Sequence, residues 1–187
     1  MKCPARTLVS LPEELSFKAG AAISCGTGTA WGALQRLELK GDQTIAVFGQ
    51  GPVGLSATLL ASQMGARVIA LDTGEERLQR AKEFGAAILI NPTKTEDVVQ
   101  AIRDVTHGHG AHGSLDCSSA PIARSQAVQC VRTWGKACFV GEGDAQDVAR
   151  GDAERVDEVR DPPDQHAGLP RPGAREDLHR AHGGQAR

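Results

Sequence analysis

Short apolar runs recur from about Leu37 to Gly143, and each is followed by a stretch with helical spacing. The runs at 44–48, 68–72, 87–91, 113–117 and 137–140 read as strands. The segments 54–64, 75–84, 95–106 and 121–131 between them carry the three-to-four-residue apolar repeat of helices. Glu75 and Glu76 stand near a helix start, where negative charge suits the macrodipole, and Gly65 and Gly85 stop two helices. Alternation of strand and helix through connections this short predicts a parallel sheet. The runs are apolar throughout rather than alternating, as strands covered on both faces should be. The predicted fold class is α/β, a doubly wound parallel sheet of Rossmann type. It counts five strands where six are usual, so the sheet is expected to be incomplete.

One junction in this pattern carries chemistry. Gly49-Gln50-Gly51-Pro52-Val53-Gly54 lies directly behind the first strand and opens the first helix of the repeat, and the second strand ends in Asp72. A G-x-G-x-x-G motif between strand and helix, with an acid about 20 residues on, is the dinucleotide-binding fingerprint. Gly49 permits the tight turn, Gly51 lets backbone approach a pyrophosphate, and Gly54 lets helix and strand pack closely. The helix N-terminus offers unpaired N–H groups to phosphate. Asp72 can accept hydrogen bonds from a ribose 2′-hydroxyl, and its charge opposes a 2′-phosphate, which predicts NAD rather than NADP. Two other readings of the loop are a glycine-rich turn without a ligand and an adenosyl-cofactor site of methyltransferase type.

Composition narrows the field further. The formal net charge of −2 gives no reason to expect nucleic acid or an anionic membrane as partner. No apolar stretch approaches the roughly 20 residues of a membrane span, and the N-terminus has no apolar signal core. Five cysteines, an odd number without C-x-x-C spacing, predict a reducing, cytoplasmic setting. Cys117, Cys130 and Cys138 stand in apolar surroundings and read as buried hydrophobes.

The chain changes character after Gly143. From Asp144 to Arg187 there is no Lys, Ser, Thr, Asn, Ile, Phe, Met, Trp, Tyr or Cys, and every residue type present can be written with a codon beginning in G or C. A shifted reading of a GC-rich gene produces that pattern; a genuine low-complexity tail is the other reading. Either way, a segment poor in large apolar residues cannot offset its ordering entropy, so disorder is expected there.

Ahead of the fingerprint stand Leu11-Pro12-Glu13-Glu14-Leu15-Ser16-Phe17 and Ala21-Ala22-Ile23-Ser24-Cys25-Gly26-Thr27-Gly28-Thr29-Ala30-Trp31-Gly32-Ala33-Leu34. With Gly49-Gln50-Gly51-Pro52-Val53-Gly54 they resemble, in order and spacing, the zinc-dependent medium-chain dehydrogenases, nearest to the alcohol, polyol and threonine dehydrogenase branch. The resemblance runs from about Leu11 to Gly143. It implies a Rossmann coenzyme domain beside a β-rich catalytic domain. It also implies hydride transfer between a small alcohol or polyol and NAD(P), with zinc stabilising the alkoxide. Cys25 falls on a catalytic-zinc ligand position, Thr29 and Val53 on positions lining the nicotinamide pocket, and Arg77 on a basic position near the adenosine ribose. Pro52 has no N–H, so that of Val53 must serve the pyrophosphate.

The departures shape the remaining expectations. Only ten residues precede Leu11, and the Cys and His-Glu pair that complete the family's catalytic zinc site have no counterpart here, nor does its four-cysteine structural cluster. Residues 1–36 are therefore expected to be a remnant of the junction with the catalytic domain, 37–143 the NAD-binding domain, and 144–187 the odd tail. The chain by itself is expected to be an inactive fragment. A non-catalytic nucleotide-binding remnant and a zinc-free quinone reductase of the same superfamily are the alternatives, and homo-oligomerisation is left open. His107, His109 and His112, in a glycine-rich stretch, are expected to be solvated rather than metal-bound.

Overall fold

The computed structural model describes residues 4–141, so the expectation of a disordered tail at 144–187 falls outside the described residues. Five strands form one wholly parallel sheet: β1 (Thr44–Phe48), β2 (Arg67–Leu71), β3 (Ile88–Ile90), β4 (Ala111–Asp116) and β5 (Val131–Phe139). Their spatial order is β3-β2-β1-β4-β5. The order reverses at β1, so the adjacent carboxyl ends of β1 and β4 form the switch point where ligands of such sheets bind.

The helices are α1 (Phe17–Ala22), α2 (Gly28–Leu37), α3 (Pro52–Gln63), α4 (Glu75–Glu83), α5 (Val98–Asp104) and α6 (Pro121–Gln129). Alternation along the central strands divides the core in two. Ile45, Val47, Val68, Ala70 and Leu115 join Ala57 and Ala61 of α3, Ala81 of α4, and Ala30, Ala33, Leu34 and Leu37 of α2 on one face. Ala46, Phe48, Ile69 and Leu71 meet Val98 and Ile102 of α5 and Ala127 of α6 on the other. Both faces are covered, which explains why the runs are apolar without a break.

Among the elements whose bounds differ from the sequence pattern, α5 and β5 do so for a local reason. α5 begins at Val98 rather than near Thr95, because the Asp97 side chain accepts from the Gln100 N–H at 2.8 Å and caps the helix there. β5 starts well before residue 137, but its register with β4 jumps from Ala111↔Val131 to Gly113↔Lys136. The excess chain bulges out, with Trp134 at φ 65° and almost wholly exposed, followed by Gly135. β4 begins two residues early, at Ala111, and so takes in His112.

His112 corrects the expectation of a solvated histidine. It is half-buried, and its Nδ1 accepts from the Thr44 backbone N–H at 3.2 Å, which puts the ring proton of the neutral form on Nε2; His107 and His109 are exposed. Desolvation and then the charge of Arg132 lower the His112 pKa, against an upward pull from Asp42. The folded pKa thus lies below the unfolded value of 6.5. Above that pH both states are neutral and the contribution is fully present. As pH falls below it the unfolded chain takes up its proton first, and stability is lost. Because the ring is only partly withdrawn from solvent, the amplitude is expected to be small. Melting curves at pH 7.5 and pH 5.5 should show the acid loss reduced in His112→Asn; an equal loss in both proteins would rule His112 out as its source.

Candidate functional site

The fingerprint loop is built by short-range constraints that leave one open cradle. Gly49 takes φ 84°, and a Cβ there would stand 3.0 Å from the Cα, Cβ and N of Ser118. A Cβ on Gly54 would lie 1.8 Å from the Gly49 carbonyl oxygen, so helix and turn touch backbone to backbone. Gly51 differs: at φ −76° a Cβ would meet nothing within 4 Å. The middle glycine therefore faces free space at the start of a twelve-residue helix with Pro52 at its head. Backbone N–H groups of the first turn, including that of Val53, have no intrahelical acceptor, as at any helix start.

Gln50 and Thr58 hold this loop, and the sequence pattern missed both. Gln50, buried at the motif's variable position, donates from Nε2 to the Val47 carbonyl at 2.9 Å and accepts through Oε1 from the Thr58 hydroxyl at 2.9 Å. Its backbone N–H donates to Asp72 Oδ2 at 2.7 Å. The polar Gln50 inside an apolar stretch, eight residues before Thr58, was the available signal.

Asp72 is a structural acceptor as well as a candidate ligand group. Besides Gln50, the Gly74 N–H donates to its Oδ1 at 2.8 Å, and Arg77 Nη1 stands 3.7 Å from Oδ2. A carboxylate has about four lone-pair sites, so acceptor capacity remains for a diol. Arg77 itself is largely exposed.

Gly49, Gly51, Asp72 and Arg77 line one cleft of about 340 Å³ at the carboxyl ends of β1, β2 and β4, together with Cys117, Ser118 and Gln126. Thr29 lies in a second cleft, of about 490 Å³, between α2 and the end of β5, bordered by Gly28, Phe139 and Val140. A wider groove of about 670 Å³ between α5 and α6, with Asp97 and Asp104 at its rim, has neither the glycine turn nor the strand ends. Burial, then the charge of Asp116, pushes the Cys117 thiol up to about 12, so it lines the first cleft as a neutral group. Burial pushes Cys130 up to about 12 and raises Cys138 as well.

Cys25 occupies an unusual backbone. α1 runs into α2 through a π-helical turn, Ile23–Thr27, that contains it. A Cβ on Gly26, the one buried residue of that turn, would pack 3.7 Å from the Pro52 backbone, and Thr27 Oγ1 lies 3.3 Å from Ser56 Oγ. These contacts lay the turn over the start of α3. Cys25 is exposed, and no group of three or more His, Cys, Asp or Glu side chains among the described residues could hold a metal ion. The described residues therefore do not fit a zinc centre, and no step through zinc follows from them. They do fit a dinucleotide, whose diphosphate could approach the backbone at Gly51, where a Cβ would meet nothing within 4 Å.

Strand order, glycine turn and an acid at the end of β2 define the class: a Rossmann-type α/β domain. Residues 52–154 match the family model described as zinc-binding dehydrogenase, and the chain belongs to that family. It is 41% identical over 138 residues to an uncharacterized zinc-type alcohol dehydrogenase-like protein, YphC, of Escherichia coli (strain K12), covering 73% of this chain and 39% of that protein. Against an alcohol dehydrogenase of Geobacillus stearothermophilus the identity is 33%, covering 72% and 39%. Among solved structures, alcohol dehydrogenase TADH from Thermus sp. ATN1 superposes with a TM-score of 0.69 at 33% identity, over 73% of this chain and 39% of that one. The 2R,3R-butanediol dehydrogenase from Bacillus subtilis gives a TM-score of 0.65 at 34% identity, over 72% and 38%. The chain thus spans about two-fifths of the length of these relatives. Among the described residues, no helix is long and apolar enough to cross a membrane.

Proposed function

We propose that this chain is the NAD(H)-binding part of a zinc-type alcohol dehydrogenase-like oxidoreductase, whose substrate is a small alcohol or polyol. The observation that carries the coenzyme reading is the Gly51 cradle: the fingerprint's middle glycine faces open space while its two neighbours are packed against backbone. In this reading the diphosphate lies over Gly51 and the Val53 N–H, the adenosine ribose meets Asp72 and Arg77, and the nicotinamide reaches toward Thr29. When bound, the coenzyme supplies the hydride acceptor. The residues of this chain hold and orient it; among the described residues no three His, Cys, Asp or Glu side chains are grouped to hold a metal ion. The alcohol and polyol dehydrogenases among the relatives support the reaction class.

Gly51→Val tests the coenzyme reading with little disturbance of the fold, because a Cβ there would meet nothing within 4 Å. The melting temperature should stay within about 3 °C, since surface changes without buried partners rarely exceed 0.5 kcal/mol. NAD affinity, measured by calorimetric titration, should fall at least about tenfold as the side chain takes the place of the diphosphate. Undiminished NAD binding by the variant would sink the reading.

A further inference from the structure

A buried ion pair joins α6 to the end of β4. Arg124, on α6, is 5% exposed and Asp116, the last residue of β4, is fully buried. Arg124 Nε stands 3.6 Å from Asp116 Oδ2, and neither atom makes a hydrogen bond among the described residues. The guanidinium also donates from Nη2 to the Gly141 carbonyl, just past β5, and lies 5.8 Å over the Phe139 ring. One side chain thus ties α6 to the carboxyl ends of two strands.

Asp116 carries the connection to the first cleft. Its Oδ1 accepts from the Ser118 N–H at 2.9 Å and the Ser118 hydroxyl at 2.6 Å. Ser118 is the residue that packs on Gly49 and lines the cleft beside Gly51 and Asp72. The Asp116 carbonyl accepts from the N–H groups of Val140 and Gly141, and Phe139 and Val140 border the Thr29 cleft. The loop between is held under strain: Ser119 sits at φ 62°, and a Cβ on Gly141 would come within 2.5 Å of its hydroxyl oxygen. A non-glycine residue persists in that conformation only where its surroundings over-determine it.

We infer that Arg124 is a positioning residue for the coenzyme, setting the Ser118–Ser119 loop and the Gly141 strand end so that both halves of a dinucleotide are bound at once. The inference rests on the NAD reading above. A bulk structural role would weaken the whole domain, whereas a positioning role separates a dinucleotide from its adenosine half. AMP reaches only Asp72 and the glycine turn, so it serves as the control probe.

The test titrates NAD and AMP into the full 187-residue chain, into Arg124→Met and into the double variant Asp116→Asn/Arg124→Met. Removing one partner of a buried pair leaves an uncompensated charge, so the single variant is expected to lose stability; the double variant removes both charges while Asn can still accept from Ser118. In the double variant the melting temperature should recover, AMP affinity should stay within about twofold, and NAD affinity should remain about tenfold weaker, since the clamp on Gly141 is gone. Arg124→Lys should recover NAD binding in part, because an ammonium can reach one of the two acceptors but lacks the planar fork. Recovery of NAD affinity together with stability in the double variant would overturn the inference and leave the coenzyme reading standing. Parallel loss of NAD and AMP there would overturn it as well. Failure of the unaltered chain to bind either nucleotide would overturn the coenzyme reading, and the inference with it.

Discussion

Gly54→Ala is expected to lower the melting temperature by roughly 10 °C, a loss of about 3 kcal/mol or more. The single added methyl would sit 1.8 Å from the Gly49 carbonyl oxygen and 2.9 Å from its carbonyl carbon. Both are backbone atoms of a turn that is itself pressed against Ser118, so neither side can yield by changing a rotamer. Relief requires the start of α3 to move away from β1. That shift would open the packing of Ala57 and Ala61 against Val47 and the rest of that core face. It would also displace the first-turn N–H groups and the Gln50–Thr58 hydrogen bond. NAD affinity should therefore fall with stability, in contrast to Gly51→Val, where only affinity falls. Thermal denaturation followed by circular dichroism checks the first half and calorimetry the second. A Gly54→Ala protein that melts with the unaltered chain would show that helix and turn are not in backbone contact.

Asp72→Ala carries the second large effect and acts on two quantities together. Its carboxylate accepts from the backbone of Gln50 and of Gly74, and the Gln50 N–H is buried. Removing a charged acceptor from such a donor costs about 2–3 kcal/mol, so the variant is expected to be markedly less stable. Coenzyme preference should change with it. The unaltered chain is expected to favour NAD over NADP by about 1–3 kcal/mol, through a ribose hydrogen bond gained and a like charge avoided. In Asp72→Ala both contributions vanish and Arg77, 3.7 Å from the carboxylate and largely exposed, becomes available to a 2′-phosphate. The NAD preference should then disappear or reverse. Parallel titrations of the two coenzymes decide the matter, and equal affinities in the unaltered chain would refute the assignment of Asp72 to the ribose.

What the sequence makes legible depends on how far apart along the chain the interacting residues are. The strand cores at 44–48, 68–72 and 87–91 lie within two residues of the observed elements, because unbroken apolar runs and glycine stops are local signals. The glycine turn was legible for the same reason: its three glycines answer to neighbours within the loop and to one close approach. The apolar run at 137–140 marks only the end of β5, since its first half is joined to β4 across a register jump that no period in the sequence reports. α5 starts later than its apolar spacing suggests because an Asp cap at residue 97 outcompetes a helical pattern that begins sooner.

For the site, residue types and spacing along the chain were enough to point to a parallel α/β domain, a phosphate-facing turn at Gly49–Gly54 and an acid at residue 72. Each follows from the conformational freedom of glycine, the two-sided burial of parallel strands, or the fixed length of one strand–helix–strand unit. Only the folded chain decided what those groups do to one another. Asp72 is held by two backbone donors, Gln50 plugs the turn from beneath, and the π-helical turn lays Gly26 and Thr27 over α3. Arg124 meets Asp116 and Gly141 across eight and seventeen residues. Such contacts join residues from different elements, and their geometry is set by how sheet and helices pack, so they leave no periodic trace along the chain.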